Sequence, residues 1–254
     1  NASTRLLVSG TYNNNTKDAH FDSFYILGSG LVNNPDDVPE GNFSIELRDN
    51  LGIPIRNISF GVSHYLFFSG GNVTVINESP FTFVFDFSGD VQSIVFKENS
   101  TLKEEVNKTP NTPTVDAILN LSNQVFSNEL FNISWNSSDL DGDYLEHAIL
   151  FSPNNGSNYS TLEVDYNQTV LELNSSDLGD CELCKIKILV TDSINTNEST
   201  SETFSIDNDL QIISLDLVYF NNTQKIFRFE VLNSFLDMPI NNLSWSLDTG
   251  ESVL

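Results

Sequence analysis

Apolar and polar residues alternate with a period of two through most of the chain, which predicts strand after strand and no convincing helix. The run Phe81-Thr-Phe-Val-Phe-Asp-Phe87 is the clearest case, with Phe81, Phe83, Phe85 and Phe87 on one face. A ligand-stacking aromatic ribbon would share that spacing, but a packed sandwich core is the simpler reading. Phe43, Ile45 and Leu47 alternate with Ser44, Glu46 and Arg48, as a half-buried strand requires. Residues 6–12, 21–27, 53–60, 73–76 and 91–97 are further strands. Polar turns at 13–18, 49–52 and 88–90 separate them, with a two-proline loop at 33–39.

The pattern then breaks at residues 107–114, a polar stretch carrying Pro110 and Pro113. It reads as a semi-rigid linker, because proline fixes φ. Beyond it, strands are expected at 115–119, 130–135, 145–151, 161–166, 170–173, 185–190 and 203–206. Seven short strands in under a hundred residues, with Trp135 buried in an early one, fit an Ig-like sandwich. From 208 the pattern restarts with residues 210–220. Phe227, Phe229 and Val231 then alternate with Arg228 and Glu230, and Leu243-Ser-Trp-Ser-Leu247 places Trp245 as Trp135 is placed before it. The last segment is too short to close a sandwich alone. It is either the start of a third module or is completed by a neighbouring subunit. The expectation is an all-β chain of tandem Ig-like or fibronectin-III-like sandwiches arranged as a rod. The divisions fall at 1–106, 107–114 (the linker), 115–207 and 208–254.

The stretch around Trp135 runs into Ser138-Asp139-Leu140-Asp141-Gly142-Asp143. A strand tryptophan followed by such an acidic loop, with Val190-Thr-Asp192 closing the sixth strand, resembles fibronectin type III and Ig-like modules of prokaryotic (archaeal) cell-surface or S-layer-type proteins. The resemblance implies a structural or binding module outside the cell. Val8-Ser-Gly10 and Phe43-Ser-Ile-Glu-Leu-Arg-Asp49 before Gly52 loosely resemble accessory β-domains of secreted peptidases. Cys181 and Cys184 depart from the Ig pattern, being too close in sequence for an inter-sheet disulfide.

Composition sharpens this address. The net charge of −24, from 35 acidic and 11 basic side chains, disfavours nucleic acid and anionic lipid and favours divalent cations or basic partners. Eighteen Asn-x-Ser/Thr sequons begin at Asn1, Asn14, Asn42, Asn57, Asn72, Asn77, Asn99, Asn107, Asn120, Asn132, Asn136, Asn155, Asn158, Asn167, Asn174, Asn197, Asn221 and Asn242. Chance in so Asn-, Ser- and Thr-rich a chain gives about six, so the excess points to an exported protein carrying covalent N-glycans. Proline directly after the sequon weakens Asn77 and Asn107 as acceptors. No stretch approaches the ~18 continuous apolar residues of a membrane span, so direct membrane insertion is not expected. No charged and apolar leader opens the chain, so any export signal or anchor is expected outside this numbering.

Candidate chemistry is sparse. Asp139, Asp141 and Asp143, with Glu146 three residues on, present the hard oxygen ligands that Ca²⁺ prefers. They resemble the first half of an EF-hand loop, but Leu150 stands where the bidentate glutamate belongs. A solvated acidic hairpin loop, turned by Gly142, has the same sequence, and Asp177, Asp180 and Asp192 would join a site only if folding brings them near. Cys181 and Cys184 suit a small disulfide ring tightening the turn before the 185–190 strand. Zinc would need further ligands, and a redox pair would want a helix start. His20, His64 and His147 are scattered and read as surface or rim residues. No Gly-x-Ser-x-Gly, His-Glu-x-x-His or Gly-rich phosphate loop is present, and nothing marks one acidic pair for glycoside hydrolysis, so no enzyme is expected. The sequence thus predicts a glycosylated extracellular component of a surface layer, sheath or filament, assembling as a homo-oligomer or polymer through sandwich edges. The alternative is a non-catalytic binding or accessory region of an adhesin or a secreted hydrolase.

Overall fold

The computed structural model describes residues 4–28, 40–67, 69, 73–116, 121–208, 211–220 and 225–232. The predicted 33–39 loop, residues 117–119 of the predicted 115–119 strand, and the segment around Trp245 lie outside them. The chain is all-β.

The first sandwich is built on β1 (Arg5–Asn13), whose burial alternates strictly so that Leu6, Val8, Gly10 and Tyr12 point inward. β2 (Asp18–Phe21) and β3 (Tyr25–Leu27) pair with one edge of β1. The sequence pattern predicts a single strand over 21–27, but Phe21 and Phe24 are both buried in the same core. A spacing of three cannot put two residues on one face of a continuous strand, so the chain leaves the sheet at residues 22–24. β4 (Phe43–Arg48), β5 (Pro54–Phe60), the small hairpin of β6 (Tyr65–Phe67) and β7 (Val73–Val75), and β8 (Glu78–Asp86) follow. β8 pairs with β1 along its full length. β9 (Ser93–Glu98) and β10 (Thr101–Asn107) complete a facing sheet ordered β10-β9-β4-β5.

β10 is a strand that the alternation did not predict, just ahead of the expected linker. A two-residue loop, Asn99 and Ser100 with φ of 49° and 67°, turns β9 back on itself in the geometry that hairpins favour. Between the sheets Phe81, Phe83 and Phe85 of β8 meet Tyr12, Phe43, Phe60 and Phe96, with centroids 4.6 Å apart for Phe60–Phe83 and 5.0 Å for Phe81–Phe96. The phenylalanines of β8 are therefore core.

The second sandwich starts with β11 (Thr114–Val115), β12 (Val125–Phe126), β13 (Leu130–Ser134) and β14 (Ser137–Ser138). It continues through β15 (Glu146–Ser152), β16 (Ser160–Tyr166) and β17 (Val170–Asn174) to β18 (Cys181–Thr191), β19 (Thr196–Thr200) and β20 (Phe204–Ile206). One sheet runs β12-β20-β18-β15-β16, with β19 also paired to β18; β13 and β17 pair opposite it. The chain passes from one sheet to the other between β13 and β15, again between β16 and β17, and back to β18. This is the Greek-key order of an Ig-like sandwich. Ile133 and Trp135 from one side meet Ile149, Phe151, Ile186, Ile188 and Phe204 from the other. Cys181 and Cys184 form a disulfide where the β18–β20 register slips, so it closes a bulge inside the strand rather than a turn ahead of it. Finally, β21 (Gln211–Phe220) and β22 (Lys225–Leu232) pair as an antiparallel hairpin.

The two sandwiches are docked. Tyr25 and Leu27 of β3 pack with Ala148, Leu150 and Leu189 on the outer face of the larger sheet of the second sandwich. Ile194, from the β18–β19 turn, is fully buried in the first sandwich's core. The stretch read as a linker is bonded to the second sandwich along its length. Thr109 Oγ1 donates to Asp192 at 2.9 Å, and Asn195 Nδ2 donates to the Asn111 carbonyl at 2.9 Å. Asn197 Nδ2 reaches the Pro113 carbonyl at 3.0 Å.

Candidate metal centre

The acidic loop joins β14 to β15, beside the strapped segment 108–113. Asp139 Oδ1 accepts the Asp141 backbone N–H at 2.7 Å, and Gly142 takes φ of +79°, a left-handed turn that glycine adopts without strain. The loop so formed brings one carboxylate oxygen of each of Asp139, Asp141 and Asp143 within 4.8 Å of one another. Asp141 is fixed from outside by Asn111, whose backbone N–H and Nδ2 donate at 2.8 and 2.6 Å.

Asp139 Oδ2 and Asp143 Oδ2 are shut off from solvent and have no hydrogen-bond partner. The Asp143 carboxyl is pushed above its ordinary pKa by desolvation first, then by the charges of Asp139, Asp141 and Asp192. Buried, unpaired carboxylate oxygens are costly, and a hard cation relieves that cost. Oxygens across a Ca²⁺ ion lie about 4.6–5.2 Å apart, so the loop fits that ion on both chemistry and span.

Glu146 lies outside this group. It opens β15 on the face turned to the first sandwich, where its carboxylate accepts a hydrogen bond from Ser23 Oγ. Asp180 is engaged elsewhere, with the Asn208 N–H at 2.9 Å. Asp192, buried and bonded to Thr109 and Asn195, is the distant acid that folding brings to the loop. Asn111 and Asp192 are separated from the loop by dozens of residues, so no spacing rule marks them. One histidine also departs from the surface-or-rim reading. His147 is buried, with Nδ1 2.8 Å from the Tyr166 carbonyl and Nε2 2.9 Å from Ser137 Oγ, and burial holds its pKa below the ordinary value. His64 is half-buried, with Nδ1 3.0 Å from Ser79 Oγ. His20 is exposed.

No protein-family model matches the chain, and neither does any curated protein. Among solved structures, the crystal structure of the N-terminal four Ig domains of Dscam1 isoform 4.44 aligns with 10% identity and a TM-score of 0.26. The alignment covers 91% of this chain and 68% of that one. A score this low adds nothing to the strand order, on which the description of the sandwiches rests.

The second feature with chemistry is the set of sequons. Among the described residues, eleven of the thirteen sequon asparagines are exposed: Asn42, Asn57, Asn77, Asn99, Asn107, Asn132, Asn136, Asn155, Asn158, Asn167 and Asn197. Asn14 and Asn174 are half-buried, and Asn174 Oδ1 accepts the Ser176 N–H at 3.1 Å. Asn1, Asn72, Asn120, Asn221 and Asn242 lie outside the described residues. The buried asparagine, Asn195, is not in a sequon. Among the other described asparagines Asn15, Asn50, Asn123, Asn128 and Asn154 are exposed as well, so surface position permits glycosylation without by itself marking it. Among the described residues no helix is long and apolar enough to cross a membrane.

Proposed function

We propose that the chain is an N-glycosylated extracellular structural element, part of a surface layer, sheath or filament built from docked β-sandwiches. The observation that carries this reading is the threefold excess of sequons together with the absence of any fully buried acceptor among those described. The strongly acidic surface fits a cation-rich exterior, and Ca²⁺ held by Asp139, Asp141 and Asp143 would neutralise the most crowded part of it. The ion's role is structural. It ties the acidic loop, and through Asn111 the strap between sandwiches, into one arrangement.

Assembly through strand edges is the mode that sandwiches favour. The outer strand β5 carries the sequon Asn57, and β16 is flanked by the sequons Asn158 and Asn167. Electron microscopy of isolated envelopes, with an antibody to this chain, tests the reading. It predicts label on an ordered layer or filament; label confined to unassembled secreted protein would favour the adhesin or accessory-region alternative.

A further inference from the structure

The docked sandwiches enclose a cleft of about 480 Å³, lined by Asp22, Glu104, Asp143, Glu146, Asp165 and Asp192. Among the described residues lining it, His20 is the one basic side chain. Residues 20–24 of the first sandwich line this cleft, and the stretch 21–26 is held from both sandwiches. The Phe21 N–H donates to Glu104 at 2.6 Å, and Ser23 Oγ donates to Glu146. Tyr25 Oη donates to Asp165 at 3.2 Å, and the Ile26 N–H reaches Thr196 Oγ1 at 3.0 Å. Glu104 belongs to the first sandwich, whereas Glu146, Asp165 and Thr196 belong to the second. Two of the bonds across the junction therefore end on carboxylates of the second sandwich, Glu146 and Asp165, which both feel the charge of Asp22 from the first.

We propose that this junction is an acid-tightened clasp, in which proton uptake by Glu146 and Asp165 strengthens the docking of the two sandwiches. Both carboxyls are raised from their ordinary values, each by desolvation first. Glu146 then feels Asp165 and Asp22, opposed by His20, and Asp165 feels Asp22, opposed by the Tyr25 hydrogen bond. Glu104 is raised as well, by desolvation and by Asp22, against the Phe21 N–H and His20. Undocking returns Glu146 and Asp165 to water and separates them from Asp22, so their affinity for protons falls. The docked form binds protons more tightly and gains on the undocked form as pH drops from neutrality through the raised values. The gain is complete below the ordinary carboxylate range. Protonated carboxyls still accept from Ser23 and Tyr25, so the hydrogen bonds survive while the repulsion goes.

Amide hydrogen exchange of the full chain, with chelator present to keep metal from the neighbouring loop, reads this directly. The Ile26 N–H crosses the junction, and the Ile45 and Ile188 amides within the sandwich cores serve as references. Its protection factor relative to those amides is expected to rise about threefold or more between about pH 7.5 and about pH 5. In Glu146→Gln combined with Asp165→Asn, protection should be high already at neutral pH and flat across the range. Asparagine suits position 165, whose φ is +52°. Glu146→Gln alone should remove part of the slope. Relative protection that is unchanged or falls on acidification of the native chain overturns the proposal, as does a variant that keeps the native slope.

Discussion

At the scale of single residues, Asp143 concentrates the tension in the acidic loop. Its pKa is raised in the folded chain, so without metal its contribution improves stability as pH falls through that raised value and costs stability above it. Bound Ca²⁺ reverses the sign, because it requires the carboxylate. In chelator, thermal unfolding of Asp143→Asn should match or exceed the native protein at neutral pH. With added Ca²⁺ only the native protein should rise in Tm. A variant that rises equally would place the ion elsewhere. The acidic triplet was legible in the sequence because its ligands alternate within five residues. Glu146 was included on the same local ground, but opening β15 aims it at Ser23 instead. Asp192 and Asn111 could not be singled out, since their part depends on contacts across 30 residues or more.

At the scale of elements, β4 and β8 follow from alternation that is nearly unbroken, and β1 and β15 from the apolar runs Leu6–Val8 and Ala148–Phe151. Those that escaped have little apolar content. β10 has only Leu102 and Val106 as apolar residues and is set by its hairpin turn, and β19 has no apolar residue at all and is held by the β18 ladder. β1 also depends on Gly10 at its centre, where an added Cβ would come within 2.4 Å of the His20 carbonyl oxygen and 2.5 Å of the Phe81 ring. Backbone on one side and a packed ring on the other leave little room to yield. Gly10→Ala should therefore destabilise the first sandwich by about 1–3 kcal/mol in urea unfolding. A neutral substitution would mean that β1 and β8 can separate without loss.

At the scale of the whole molecule, periodicity gave two sandwiches but not their relation. It predicts beads on a semi-rigid string, whereas the chain folds as a docked pair. Ile194 explains the difference: within a polar turn, Asp192-Ser-Ile-Asn195, a lone isoleucine gives no periodic signal, yet it is fully buried in the other sandwich. Strapping by Thr109, Asn111 and Pro113 then leaves a short, bonded crossing where a spacer was expected. A docked, acidic pair with acceptor asparagines spread over its outside is what the structural reading asks of a building block. Its central claim is export with glycosylation, and intact mass of the native protein before and after chemical deglycosylation tests it most directly. The account predicts that the native protein loses the mass of many glycan units on treatment. A native mass unchanged by deglycosylation would contradict it.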